Sequence, residues 1–97
     1  MNTTDILPAK DFETITVSTT ALMLNSSKVH AAERAVVQVQ AQSIRVRWDG
    51  GTPTDTIGFL YAANSIFAIY GQENMAKLRM IRVSSDATVV VTYEGLR

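Results

Sequence analysis

The chain has 97 residues, 46% of them hydrophobic and 19% charged, which suits one globular domain rather than a disordered segment or a pair of domains. Nine basic residues balance nine acidic ones, so the basic surplus that non-specific nucleic-acid binding draws on is missing. With no cysteine, disulfides, thiolate nucleophiles and thiolate metal sites are excluded, and no apolar run approaches the roughly 18 residues of a membrane span.

Residues 1–11 are polar and predict an N-terminal arm, with the domain proper over 12–97. MNTTDILPAK lacks the basic region and long apolar core of a signal peptide, so synthesis in a cytoplasm is expected. The sequons at Asn2 and Asn25 then read as chance matches. FETITVSTT alternates, with Ile15 and Val17 on one face and Thr14, Thr16 and Ser18 on the other, and its β-branched residues favour a strand. ALML at 21–24 extends this strand or starts a short one. NSSKVHAAER predicts a loop with a turn of helix, too short to be stable alone. In AVVQVQA, Val37 and Val39 oppose Gln38 and Gln40. In SIRVRWD, Ile44, Val46 and Trp48 point inward while Arg45 and Arg47 point out. A tight connection near Ala41 to Ser43 is expected between these two strands.

The stretch DGGTPTD interrupts the pattern. Asp49, Gly50 and Gly51 turn the chain, and Pro53 stiffens its return, so this loop reads as a structural corner with Trp48 in the core beside it. IGFLYA and SIFAIYG follow as two short strands around Ala63-Asn64. QENMAK predicts one helical turn with Glu73 and Lys77 at i, i+4. LRMIRVS is apolar at both parities, which a bulge would reconcile. Ser85-Asp86 turns the chain into ATVVVTYE, where Ala87, Val89, Val91 and Tyr93 share a face. Seven or eight short strands with turn signals between them predict an all-β fold. It is expected to be a single antiparallel β-sandwich or jelly-roll-like domain with a polar arm.

Candidate chemistry is sparse. His30 is the one histidine, set in a polar stretch with no nucleophile-elbow motif near Ser26 or Ser27, and reads as solvated. One histidine without cysteine makes a poor zinc set. The carboxylates show no spacing that favours a glycosidase pair, and DGGTPTD lacks the periodicity of a calcium loop. No catalytic residue, metal site or cofactor is predicted. Ile66, Phe67, Ala68, Ile69 and Tyr70 are apolar in succession, as are Val89, Val90 and Val91. A strand with one wet face needs a cover for such residues, either a packed loop or a neighbouring subunit. Ile66, Phe67, Ile69 and Val90 are therefore candidate interface residues. Arg45 and Arg47, with Arg79 and Arg82, add two basic clusters that could pair with a protein partner.

From Ala35 to Glu94 the pattern resembles a family of small tailed-bacteriophage virion proteins. The matching segments are AVVQVQ, IRVRWDGGTPT, Gly58 with Leu60, SIFAIYG and LRMIRVSSDATVVVTYE. The resemblance implies a non-enzymatic β-sandwich that joins a virion as a capsid decoration or cement subunit. It also implies contacts with the major capsid protein or other virion proteins, and self-association, a trimer being the natural number at a threefold capsid site. Neither a nucleic acid nor a membrane is implied as partner. A tail or head-to-tail accessory role, and a carbohydrate-binding module using Trp48, Tyr61 or Tyr70, are the alternatives.

Overall fold

The computed structural model describes residues 7–95 and contains eight strands and two short helices among them. In chain order these are β1 (Ala9–Val17), β2 (Leu22–Met23), α1 (Ser26–His30), β3 (Arg34–Gln40) and β4 (Ile44–Arg47). Then come β5 (Phe59–Tyr61), β6 (Ile66–Tyr70), α2 (Gln72–Lys77), β7 (Arg79–Arg82) and β8 (Ala87–Glu94). All pairings are antiparallel, in two four-stranded sheets of order β1-β8-β3-β6 and β2-β7-β4-β5. This is the all-β sandwich that the alternating segments predict. Its strand order is that of a jelly roll, two Greek keys folded into facing sheets.

Alternation places the core. On the first sheet Val17, Val37, Val39, Val89, Val91 and Tyr93 are fully buried. Ile44, Val46 and Met80 meet them from the second sheet, and Leu78 joins the same cluster. The two helices pack on each other and insert Val29 and Met75 into it. Asn25 caps α1, its side chain accepting from the Ser27 and Lys28 amides at 3.0 and 3.4 Å. Gly71, at φ 88°, opens α2. The Gln72 side-chain amide donates to the His30 and Ala32 carbonyls and ties the helices together. At the other edge the buried Tyr93 hydroxyl donates to Glu13, whose carboxylate also accepts from the Asn25 amide at 3.2 Å. Burial, reinforced by the neighbouring Glu13, pushes the Tyr93 phenol well above its ordinary range.

The tight connection expected at 41–43 is present, and it carries the chain from one sheet to the other, since β3 and β4 do not pair. A two-residue hairpin of the favoured type needs two successive positive-φ residues, and here Ala41 alone has one, at 72°. Its counterpart at 62–65, with Asn64 at φ 74°, also crosses between sheets, and Val39 bonds to it through both its amide and its carbonyl. No bulge occurs in β7, which pairs with β4 in unbroken register. Leu78 and Met80 face the core, while Ile81 and Val83 lie on the outer side, beside Thr54 and Asp55 of the loop after β4. Finally, β1 begins at Ala9, inside the expected arm, and pairs there with the end of β8. Residues 1–6 of the arm lie outside the described residues.

Ile44 sits at the meeting of β4, β5 and β7 with no exposed surface. Ile44→Ala is expected to lower stability by about 2–5 kcal/mol, read from the midpoint of urea unfolding at unchanged slope.

Candidate functional site

The loop between β4 and β5 is built on the arginines beneath it. Arg47 leaves the end of β4 and grips Asp49 with both ends of its guanidinium, Nε to Oδ1 at 3.1 Å and Nη2 to Oδ2 at 2.7 Å. The same Oδ1 accepts from the Gly51 amide at 3.1 Å, closing a turn that Gly50 permits at φ 92°. Arg45 donates to the Asp55 carbonyl at 3.1 Å and the Gly58 carbonyl at 3.0 Å. Arg79, next door on β7, donates to the Thr52 hydroxyl at 2.9 Å. Thr54 and Ile57 close a smaller turn, with the Ile57 amide on the Thr54 hydroxyl at 3.0 Å and the Thr54 amide on the Ile57 carbonyl at 2.9 Å. Pro53 is buried under this arch. Gly58 has φ 129°, and a Cβ there would stand 3.0 Å from the Val46 carbonyl oxygen and 3.3 Å from Pro53. The sequence has glycine at 58 because the loop rejoins the sheet at that distance.

This arch carries an apolar corner. Trp48 stacks on Phe59 of β5 at 4.9 Å between ring centres and 19° between planes. Ile57, Phe59 and Leu60 are each more than half exposed. Trp48, Ile57, Gly58 and Phe59, with the Arg47–Asp49 pair at the rim, line an open cleft of ≈ 470 Å³. The cleft can take a planar or aliphatic group against its aromatic wall, and the ion pair supplies a polar edge. The Arg47 guanidinium, with the Gly51 amide, holds the Asp49 carboxyl down at about 2.

Several sequence-level assignments change here. Arg45 and Arg47 face outward as expected and Arg79 joins them, but their guanidiniums are bonded to the chain's own loop, and Arg82 pairs with Asp86 at 2.6 Å. They brace a surface rather than form a free basic row. Phe67 and Ile69 are buried in the domain's own core, Phe67 stacking on Tyr61 at 4.2 Å, because the inward parity of β6 is theirs. Ile66 and Val90 do face out, side by side with Gln38 between them on the other sheet. Trp48 is half-buried at the sandwich margin rather than in the core. Gly50, Gly51 and Pro53 make the corner that the sequence predicts. Ile57, Phe59 and Leu60 were not singled out by sequence; the dense apolar run straight after a glycine-rich loop is the signal that points to them. The three aromatic rings of the carbohydrate alternative do not share a platform. Tyr61 is stacked inside on Phe67, and Tyr70 lies on the outward side of the opposite sheet with Arg34 over its ring at 5.7 Å.

His30 is exposed at the end of α1. Among the described residues no three His, Asp or Glu side chains converge as a metal site would need.

Trp48 is the chain's single tryptophan, so its fluorescence reports the corner. Asp49 has a folded pKa of about 2, below the ~3.9 of an unfolded chain, so its ion pair favours the folded loop fully above pH ~4. That contribution falls away as pH drops through about 2, and an emission change with that midpoint is expected, absent in Asp49→Asn. Gly58→Ala, forced into a positive φ against backbone, is expected to cost about 1–3 kcal/mol by thermal unfolding. No protein-family model matches the chain, and no curated protein matches it either.

Proposed function

We propose that the chain is a non-enzymatic structural protein of a phage particle, a capsid decoration or cement subunit that works by adhesion. The observation that carries this reading is the braced apolar corner. Ile57 on the loop, and Phe59 and Leu60 on β5 directly after it, are held out in solvent where three arginines tie that loop down. A surface already rigid loses little conformational freedom on docking, and large apolar side chains at its centre are the usual anchors of a protein interface. The sequence resemblance over Ala35–Glu94 supplies the setting, with the major capsid protein as partner and the virion as location. The jelly roll is in keeping with it, since viral capsid domains use this architecture, although lectins do too. The same corner would serve a tail or head-to-tail accessory subunit, and imaging the labelled protein on particles separates the two positions.

One observation favours the carbohydrate alternative. Trp48 and Phe59 form a short aromatic wall beside the polar Arg47–Asp49 edge, a combination suited to a sugar ring. Binding on a glycan array, lost in Trp48→Ala with folding intact, would favour it over the assembly reading.

Co-sedimentation with undecorated phage heads tests the main proposal. Saturable binding is expected, weakened at least tenfold, or about 1.4 kcal/mol, by Phe59→Asp or Ile57→Asp. Failure of the folded wild-type protein to bind heads overturns it.

A further inference from the structure

The two outer faces of the sandwich differ in what covers them. On the sheet β2-β7-β4-β5 the outward residues Arg45, Arg47 and Arg79 are bonded to the loop 49–58. On the sheet β1-β8-β3-β6 the outward side chains bond only among their own strands, Gln40 to Gln38 and Arg34 to Glu94. Register sets these residues in rows across all four strands. Phe12, Thr92, Val36 and Ala68 form one row, and Thr14, Val90, Gln38 and Ile66 the next. Thr16, Thr88 and Gln40 continue the pattern. No residue in these rows is charged, whereas a solvated surface carries about 25–35% charged residues. Phe12 and Ile66 stand 55% and 64% exposed at the two edges. Charge enters at one end of the face, in the row of Glu94, Arg34 and Tyr70, where the two ions satisfy each other, and at the exposed Lys10 next to it on β1.

We propose that this face packs against the same face of a second copy of the chain. A two-fold interface must be complementary to itself, and an uncharged face brings no like charges together. A partner recognised by charge would find none to pair with in the three rows from Phe12 to Thr16. A two-fold axis across the strands, between the Phe12 and Thr14 rows, lays Ile66 over Ala68 of the other copy and Phe12 over Thr14. Large residues then meet small ones, and the Arg34–Glu94 row lies opposite the Thr16–Thr88–Gln40 row of the other copy, at the rim. Four strands about 4.8 Å apart and seven residues long give a footprint of roughly 450 Å² per copy. With side-chain relief, two copies bury on the order of 1,200 Å², the lower end of stable interfaces. The geometry points to a concentration-dependent dimer with the sheets about 10 Å apart. It uses a face distinct from the Trp48 corner and does not depend on what that corner binds.

Sedimentation equilibrium of the whole chain over roughly 1–100 μM tests this. The average mass is expected to rise from that of one chain toward that of two. Ile66→Lys and Val36→Lys should each raise the concentration for half-association at least tenfold, with circular dichroism and thermal unfolding unchanged. Ile57→Lys, at the other corner, should leave it unaltered. Ile66 is so exposed that its lysine variant keeps the test open if Val36→Lys fails to fold. A monomer at every concentration overturns the proposal. So does dimerisation indifferent to both lysines, or a closed trimer, because one face packed on itself closes at two. Head binding is scored separately. A dimer that ignores heads upholds this interface and removes the proposed function, whereas a strict monomer that coats heads, losing them on Val36→Lys, assigns the face to the capsid protein and overturns the dimer.

Discussion

The molecule is arranged around the burial of the valine faces of β3 and β8 against Ile44, Val46 and Met80 of the opposing sheet. β3 and β8 lie side by side at the middle of the first sheet, paired from Arg34–Glu94 to Gln40–Thr88, and every inward residue between is buried. β4 and β7 hold the same central place in the second sheet. Consecutive strands mostly alternate between the sheets, so a turn such as 41–43 must carry the chain through a corner. Only β4 and β5 are neighbours both in sequence and in a sheet, and the loop that joins them is the one that became the candidate site. Nearly all of the pairing is therefore long-range, which makes this a fold whose nucleus pays loop-closure entropy before any contact rewards it.

That constraint explains how the charged residues are placed. A two-sheet sandwich leaves two outer faces. One carries arginines whose donors would otherwise point into water, and the long loop folds over them, supplying carbonyls from Asp55 and Gly58, the Asp49 carboxylate and the Thr52 hydroxyl. Ile81, apolar but outward, sits beside that loop. The other face is covered by nothing among the described residues and carries threonine, glutamine and aliphatic side chains. The protein thus presents two unlike surfaces at once, an apolar corner stiffened by the Arg47–Asp49 ion pair and the hydrogen bonds of Arg45 and Arg79, and a flat, largely neutral sheet. Each surface has a separate physical origin.

The residues of the corner illustrate which parts of a site sequence can reveal. Asp49, Gly50, Gly51 and Pro53 were legible because each has a local conformational reason to be in a turn. Trp48 was legible as belonging with Ile44 and Val46, but not as stacked on Phe59, since that contact depends on β5 pairing with β4. Arg45, Arg47 and Arg79 looked like a free basic surface because a strand pattern says which way a side chain leaves the sheet and nothing about what folds back over it. Phe67 and Ile69 looked available for a partner because five apolar residues in a row carry no parity signal of their own.

Sequence alone determined most of the strands, the inward faces of the clearly alternating ones, β1, β3, β4 and β8, and the turn residues of the 49–53 corner. These follow from the period of two in side-chain direction and from the φ preferences of Gly, Pro, Asn and Asp, all of which act within a few residues. It was also enough to exclude thiol chemistry. Only the tertiary structure decided which strands are neighbours, which face is roofed by a loop and which is left bare, and where each arginine finds its acceptor. Those outcomes depend on contacts between segments tens of residues apart, such as Tyr93 with Glu13 and Arg34 with Glu94, whose partners are chosen by the packing of the whole core.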